Sequence, residues 1–135
     1  MNEYLKQAQD FCEKWGITIT WRYKGKVKGW AVQNEENDKY YWTLQRNGFR
    51  VTGEFYQSVY GTQKGEKPNE YDLLSCLCKY NPETFEDFCK KFGYDTDSRK
   101  ALEIWKEEKR IYKGLCRVFG SDTETEIWKE FIEIE

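Results

Sequence analysis

Asn47-Gly48 sits between two runs of alternating apolar and polar residues, and it constrains this chain more than any other dipeptide. Asn-Gly suits a two-residue turn whose twist matches that of the strands flanking it. Counting outward pairs Arg46 with Phe49, Leu44 with Val51, Trp42 with Gly53 and Tyr40 with Phe55. One face then carries Tyr40, Trp42, Leu44, Phe49, Val51 and Phe55, and is predicted to be the core face. The other carries Tyr41, Thr43, Gln45, Arg50, Thr52, Glu54 and Tyr56. Gly53 opposite Trp42 lets the indole lie over a strand that has no side chain there.

Upstream, Leu5, Ala8, Phe11, Cys12 and Trp15 form a helical stripe over Glu3 to Trp15, with Asn2 as N-cap and Gly16 as the stop. The period then changes to two. Ile17, Ile19, Trp21 and Tyr23 alternate with Thr18, Thr20, Arg22 and Lys24, which predicts a half-buried strand. Residues 24–28 (KGKVK) read as a turn, Trp30 and Val32 as a short second strand, and residues 34–38 as a polar loop.

Downstream the pattern is helical. Residues 61–68 read as a flexible connection, and Asn69 caps a helix carrying Tyr71, Leu74, Leu77 and Cys78. Asn81-Pro82 reads as N-cap and first residue of a helix that presents Phe85, Phe88, Cys89 and Phe92 and stops at Gly93. Asp95, Thr96, Asp97 and Ser98 are N-cap candidates for a long helix. Its stripe is Ala101, Ile104, Trp105, Ile111, Tyr112, Leu115, Val118 and Phe119, with Trp105 at its centre and Gly120 beyond its end. Lys113 and Arg117 fall outside the stripe, near the helix end whose dipole favours cations. Residues 121–124 form a capping box for a last helix with Ile127, Trp128, Phe131 and Ile134 inward. The expectation is one α+β domain over residues 1–135: a helix and a four-stranded antiparallel sheet in 1–60, and a helical half in 69–135 packed on one face.

Several chemistries find no residues to carry them. The chain has no histidine and five cysteines. Cys76-x-Cys78 is a poor zinc pair, because positions i and i+2 of a helix point apart. A calcium loop starting at Asp95 would need glycine where Lys100 stands and a carboxylate where Lys106 stands. Residues 61–67 are too short for a phosphate loop and put Glu66 where phosphate would sit. No nucleophile stands with a recognisable base. We therefore expect no catalysis, no metal, no cofactor and no disulfide. The N-terminus does not read as a signal peptide, which places the thiols in a reducing cytoplasm. No apolar run approaches the length of a membrane span, so no membrane partner is expected.

Charge is uneven although the net value is only −2. Residues 17–34 carry Arg22, Lys24, Lys26 and Lys28 and no acid, whereas residues 121–135 carry six acids against Lys129. Two binding surfaces follow. Lys24, Lys26 and Lys28 at one end and Glu124, Glu126 and Glu130 at the other could dock a protein of complementary charge, the acids standing where phosphates would sit on a nucleic-acid-binding enzyme. Alternatively, Arg22, Tyr41, Arg50 and Tyr56 on the open sheet face could hold single-stranded nucleic acid by stacking and phosphate contacts.

The segments YDLL from Tyr71, TFEDFC from Thr84 and FGYDTDSRKA from Phe92 resemble a family of small proteins encoded by bacteriophages and integrated elements. The resemblance covers roughly residues 40–119 and is strongest from Tyr71 to Ala101; residues 1–38 have no counterpart in it. It implies a strand-rich N-terminal half and a helical C-terminal half, but no activity and no functional residues. It also implies a setting: an accessory protein of a mobile element in the cytoplasm of a bacterial host. In that setting the expected action is docking on a host protein, for instance as a counter-defence inhibitor such as an anti-CRISPR, by a monomer or small homo-oligomer.

Overall fold

The computed structural model describes residues 3–28, 36–58, 67–80, 83–120 and 124–134. The order is α1 (Glu3–Trp15), β1 (Thr18–Lys28), β2 (Glu36–Arg46), β3 (Phe49–Ser58), α2 (Glu70–Leu77), α3 (Phe85–Phe92), α4 (Arg99–Phe119) and α5 (Glu124–Ile134). The class is α+β, and among the described residues the antiparallel sheet has three strands in the order β1-β2-β3, not four. The short strand expected at Trp30 and Val32 lies outside the described residues.

Asn47-Gly48 sets the β2–β3 register as its turn chemistry predicts. Asn47 has φ 53° and Gly48 φ 84°, and Arg46 pairs with Phe49, Leu44 with Val51, Trp42 with Gly53 and Tyr40 with Phe55. A Cβ on Gly53 would stand 2.6 Å from the Trp42 ring, so the indole occupies the space that glycine leaves. Phe49 departs from the expectation. It is 50% exposed, because the core ends one pair short of the turn.

The basic stretch also differs from its reading as a turn. Residues 24–28 continue β1, with a bulge between Tyr23 and Gly25, and pair with β2 through Lys26–Asp38, Val27–Asn37 and Lys28–Glu36. Glu36 to Asp38, read as loop, are therefore strand. Gly25 (φ 106°) absorbs the bulge, where a side chain would be strained.

One core unites the sheet with α1, α2, the C-terminal half of α4 and α5. It includes Phe11, Trp42, Leu44, Leu74, Leu115, Phe119, Ile127 and Phe131. A separate cluster of Phe88, Cys89 and Ala101, with Phe85 and Trp105 against it, joins α3 to the first half of α4. Trp105 thus anchors the smaller cluster, half-buried, with its Nε1 donating to the Glu83 carbonyl at 3.0 Å.

Caps account for the helix ends. Asn69 and Asp72 exchange a capping box at α2, and Ser98, one of the four candidates, caps α4. Gly93 ends α3 in the left-handed region at φ 73°. The start of α3 is corrected: its N-cap is Thr84, and Asn81-Pro82 lie outside the described residues, as do Asn2 and residues 121–123. Among the described residues no helix is long and apolar enough to cross a membrane.

Candidate binding cleft

The two clusters do not close on each other. Between the core face of the sheet and the wall built by α2, α3 and the first half of α4 lies an open cleft of about 1600 Å³. Its sheet side includes Trp21, Trp42 and Phe55, and its helical side Tyr80, Phe92, Tyr94 and Ile104. Trp21 meets Phe55 edge-on, with ring centroids 5.5 Å apart. Phe88 holds the opposite rim, in ring contact with Phe92 at 4.9 Å and stacked on Tyr94 at 5.9 Å. The rim stays open to water: Phe92 is 54% exposed, Ile104 39% and Tyr94 38%. Phe92 and Ile104 were both expected on buried stripes. Ile104 and Trp105 are neighbours in sequence, about 100° apart on the helix, so one side wall cannot receive both. Trp105 turns to α3 and Ile104 to the cleft.

The cleft carries charges of both signs. Glu103, Glu107 and Glu108 come from the α4 wall, together with Lys100 and Arg110. Arg110 is held by the Glu107 carboxylate and donates to the Thr52 carbonyl at 2.7 Å. Glu108 is pushed above the ordinary carboxylate range by burial and by Glu83, with Lys91 opposing. Burial and then the Cys76 thiol, Glu108 and Glu107 push the Tyr80 hydroxyl up to about 12, so it stays protonated as a hydrogen-bond donor. Trp21 Nε1 is buried with no acceptor among the described residues. This wall offers donors, aromatic faces and carboxylates.

The residues expected to bind from sequence are scattered. Lys24 lies over the Tyr41 ring at 5.0 Å, and Lys26 stands 4.0 Å from Glu36, so these lysines line β1 rather than a turn. Glu126 is exposed, whereas Glu130 accepts from Lys14 at 2.6 Å and Trp15 Nε1 at 2.9 Å. Glu130 therefore clamps α5 to α1. The Glu124 side chain lies outside the described residues. Arg22, Tyr41 and Tyr56 line the sheet side of the cleft, and Arg22 pairs across from Tyr41. Tyr41 and Tyr56 converge with Lys39 on the Glu54 carboxylate, at 2.5 Å from the Tyr56 hydroxyl and 3.1 Å from Lys39. Those bonds, Tyr56 first, hold Glu54 below the ordinary carboxylate range. A carboxylate thus sits amid the expected stacking platform. Arg50 is apart from that group, facing α4 across the β3 edge.

Among the described residues no group of three or more His, Cys, Asp or Glu is placed to hold a metal. No family model, no curated protein and no solved structure matches the chain.

Proposed function

We propose that this protein acts by non-catalytic binding to another protein, and that the mouth of the sheet–helix cleft is its docking surface. The observation that carries the reading is the exposure of Phe92, Tyr94 and Ile104 around one cleft. Large apolar side chains grouped at a concave, polar-rimmed site are the ordinary anchors of protein interfaces. Glu103, exposed on α4, and Glu108, half-buried beside it, favour a partner segment that combines apolar side chains with lysine or arginine. The phage-like motifs in Tyr71 to Ala101 supply the setting: an accessory protein of a mobile element, docking on a host protein in a bacterial cytoplasm. Its sharpest form is a counter-defence inhibitor, such as an anti-CRISPR that occludes a nuclease.

The test is a stoichiometric pull-down from host lysate with three baits. These are the natural chain, an Ile104→Glu/Phe92→Ser pair, and a Lys24→Glu/Lys26→Glu/Lys28→Glu triple, each checked for unchanged circular dichroism. A partner captured by the natural chain should be lost from the cleft pair and retained by the lysine triple. Loss from the triple alone would move the docking surface to the β1 edge, and equal capture by all three would remove both surfaces. Glu130 is left out of the charge reversals because its loss would loosen α1 from α5.

A further inference from the structure

The C-terminal half of α4 meets the edge strand β3 at a second hollow, of about 530 Å³, which shares Arg110 and Thr52 with the aromatic cleft but none of its carboxylates. Arg50, Arg110, Lys113 and Arg117 surround it over a floor of Val51 and Gly114. Four cations and no carboxylate line it, in a protein whose net charge is −2. We propose that this hollow is an anion site for a chain of linked phosphates.

Three features support it. First, the cations converge from two elements. Arg110, Lys113 and Arg117 follow an i, i+3, i+7 spacing that keeps them on one helix face over about 10 Å of axis. Arg50 comes from the sheet on the other side. A merely solvated helix face would explain the first three and not the fourth. Second, three of the four charges are uncompensated among the described residues. Arg110 is committed to Glu107 and the Thr52 carbonyl, but Arg50, Lys113 and Arg117 make no ion pair or hydrogen bond among the described residues. Third, the backbone is shaped for close approach. Gly114 is a glycine inside a helix, a costly choice there, and a Cβ on it would stand 2.7 Å from the Val51 side chain. Without one, α4 settles against β3 and the floor stays low. The Thr52 carbonyl reaches out to Arg110, so Thr52 is one of the alternate residues whose peptide groups face away from β2, and Arg50, two residues before it, is another. Their N–H groups add neutral donors to the cations at the same edge.

The row of cations is longer than one phosphate, and guanidinium forks match phosphate oxygens two at a time. Two linked phosphates fit that row, whether they belong to a single nucleic-acid strand or to a nucleoside polyphosphate. The inference is independent of the proposed docking at the aromatic cleft, and none of the variants that test the two is shared.

The experiment measures fluorescence anisotropy of labelled single strands of about 4 and about 12 nucleotides, with inorganic pyrophosphate as competitor, at low and moderate salt. The variants are Lys113→Glu/Arg117→Glu and, as a control of equal charge change, Lys90→Glu/Lys106→Glu. All four residues are exposed, and Lys113→Gln/Arg117→Gln serves as a milder pair should the first lose its fold. For the natural chain, binding should fall with salt at a log–log slope of about −1 to −2, as two phosphate contacts require. It should drop at least about tenfold in the pocket pair and little in the control. Affinity that rises with strand length identifies a strand as the source. Length-independent binding displaced by pyrophosphate identifies a small polyphosphate, and supports the site equally. Absence of binding by strand and pyrophosphate alike at low salt, or equal losses in the pocket and control pairs, would overturn it.

Discussion

Arg46 shows how much one side chain can do that hydrophobic patterning does not reveal. It is the polar residue on the core face, opposite exposed Phe49, at the last pair before the turn. Its Nε donates to the Trp15 carbonyl at 2.7 Å, and Nη1 donates to the Val118 and Phe119 carbonyls at 3.3 and 3.1 Å. The last carbonyls of a helix have no partner within it. One guanidinium therefore serves the C-terminal ends of both α1 and α4 and ties them to the sheet, while also lying over the Trp15 ring at 5.9 Å. We predict that Arg46→Ala destabilises the fold by about 2 kcal/mol in urea unfolding, the scale of a charged hydrogen-bonding group lost from partly buried partners. Arg46→Lys should recover less than half of that, because an ammonium cannot span carbonyls from two helices in one plane. A fully rescued lysine variant would mean that charge alone, not the fork, is what counts.

At the scale of elements, the sequence was legible where local chemistry and tertiary packing agree. The Asn47-Gly48 hairpin, α1 from Glu3 to Trp15, the Asn69 cap and the Gly93 stop all carry their own signals and appear in place. Residues 24–28 were misleading for a physical reason: glycine between lysines is as good a bulge as a turn, and only the length of β2 decides between them. Amphipathic periodicity in α4 located an apolar stripe but could not say which part of it a neighbour fills. Ile104, which the stripe assigns to the core, lies on the cleft. The cations of the second hollow looked like an ordinary solvated face because Arg50 reaches them only through the fold. At the acidic end, the partners of Glu130 are Lys14 and Trp15 on α1 at the other end of the chain, so local sequence does not reveal them. Lys14 first, then Trp15, holds the Glu130 carboxyl below the ordinary carboxylate range. A lowered folded value means that its stabilisation is complete above the unfolded value of about 4.3 and is lost as pH falls through the folded one. Glu130→Gln should therefore cost about 1 kcal/mol at neutral pH, a surface ion pair with one further hydrogen bond. The difference from the natural chain should vanish in acid. A penalty that stays constant from neutral to acid pH would assign the loss to packing instead of charge.

At the scale of the whole molecule, the division of the interior into two clusters has consequences for dynamics. The larger one draws on the sheet and four helices, and contains Cys12, buried at 6% exposure. The smaller one joins only α3 to the first half of α4, and contains Cys89, buried at 2%. By static burial Cys89 is the better protected, and the Cys89 thiol also donates to the Asp95 carbonyl at 3.8 Å. Burial pushes both thiols up, Cys12 to about 12 with help from Glu70, and Cys89 with help from Asp95. Reaction of a buried thiol requires opening, however, and the energy of opening follows the size of the cooperative unit that must break. Detaching α3 breaks one small cluster, whereas exposing Cys12 breaks the core that holds the sheet to α1, α2, α4 and α5. We predict that peptide-resolved thiol labelling of the native protein proceeds in the order Cys76, which is exposed, then Cys89, then Cys12. The labelling rate of Cys89 should rise only weakly with urea, as a small exposed area dictates, and that of Cys12 with the full slope of global unfolding. Occupation of the aromatic cleft would pin α3 through Phe92 and Tyr94, and so slow Cys89 while leaving Cys12 unchanged. Equal urea slopes for the two thiols would show a single cooperative unit, and the cleft would then be a fixed groove in a rigid body instead of a gap bordered by an element that opens on its own.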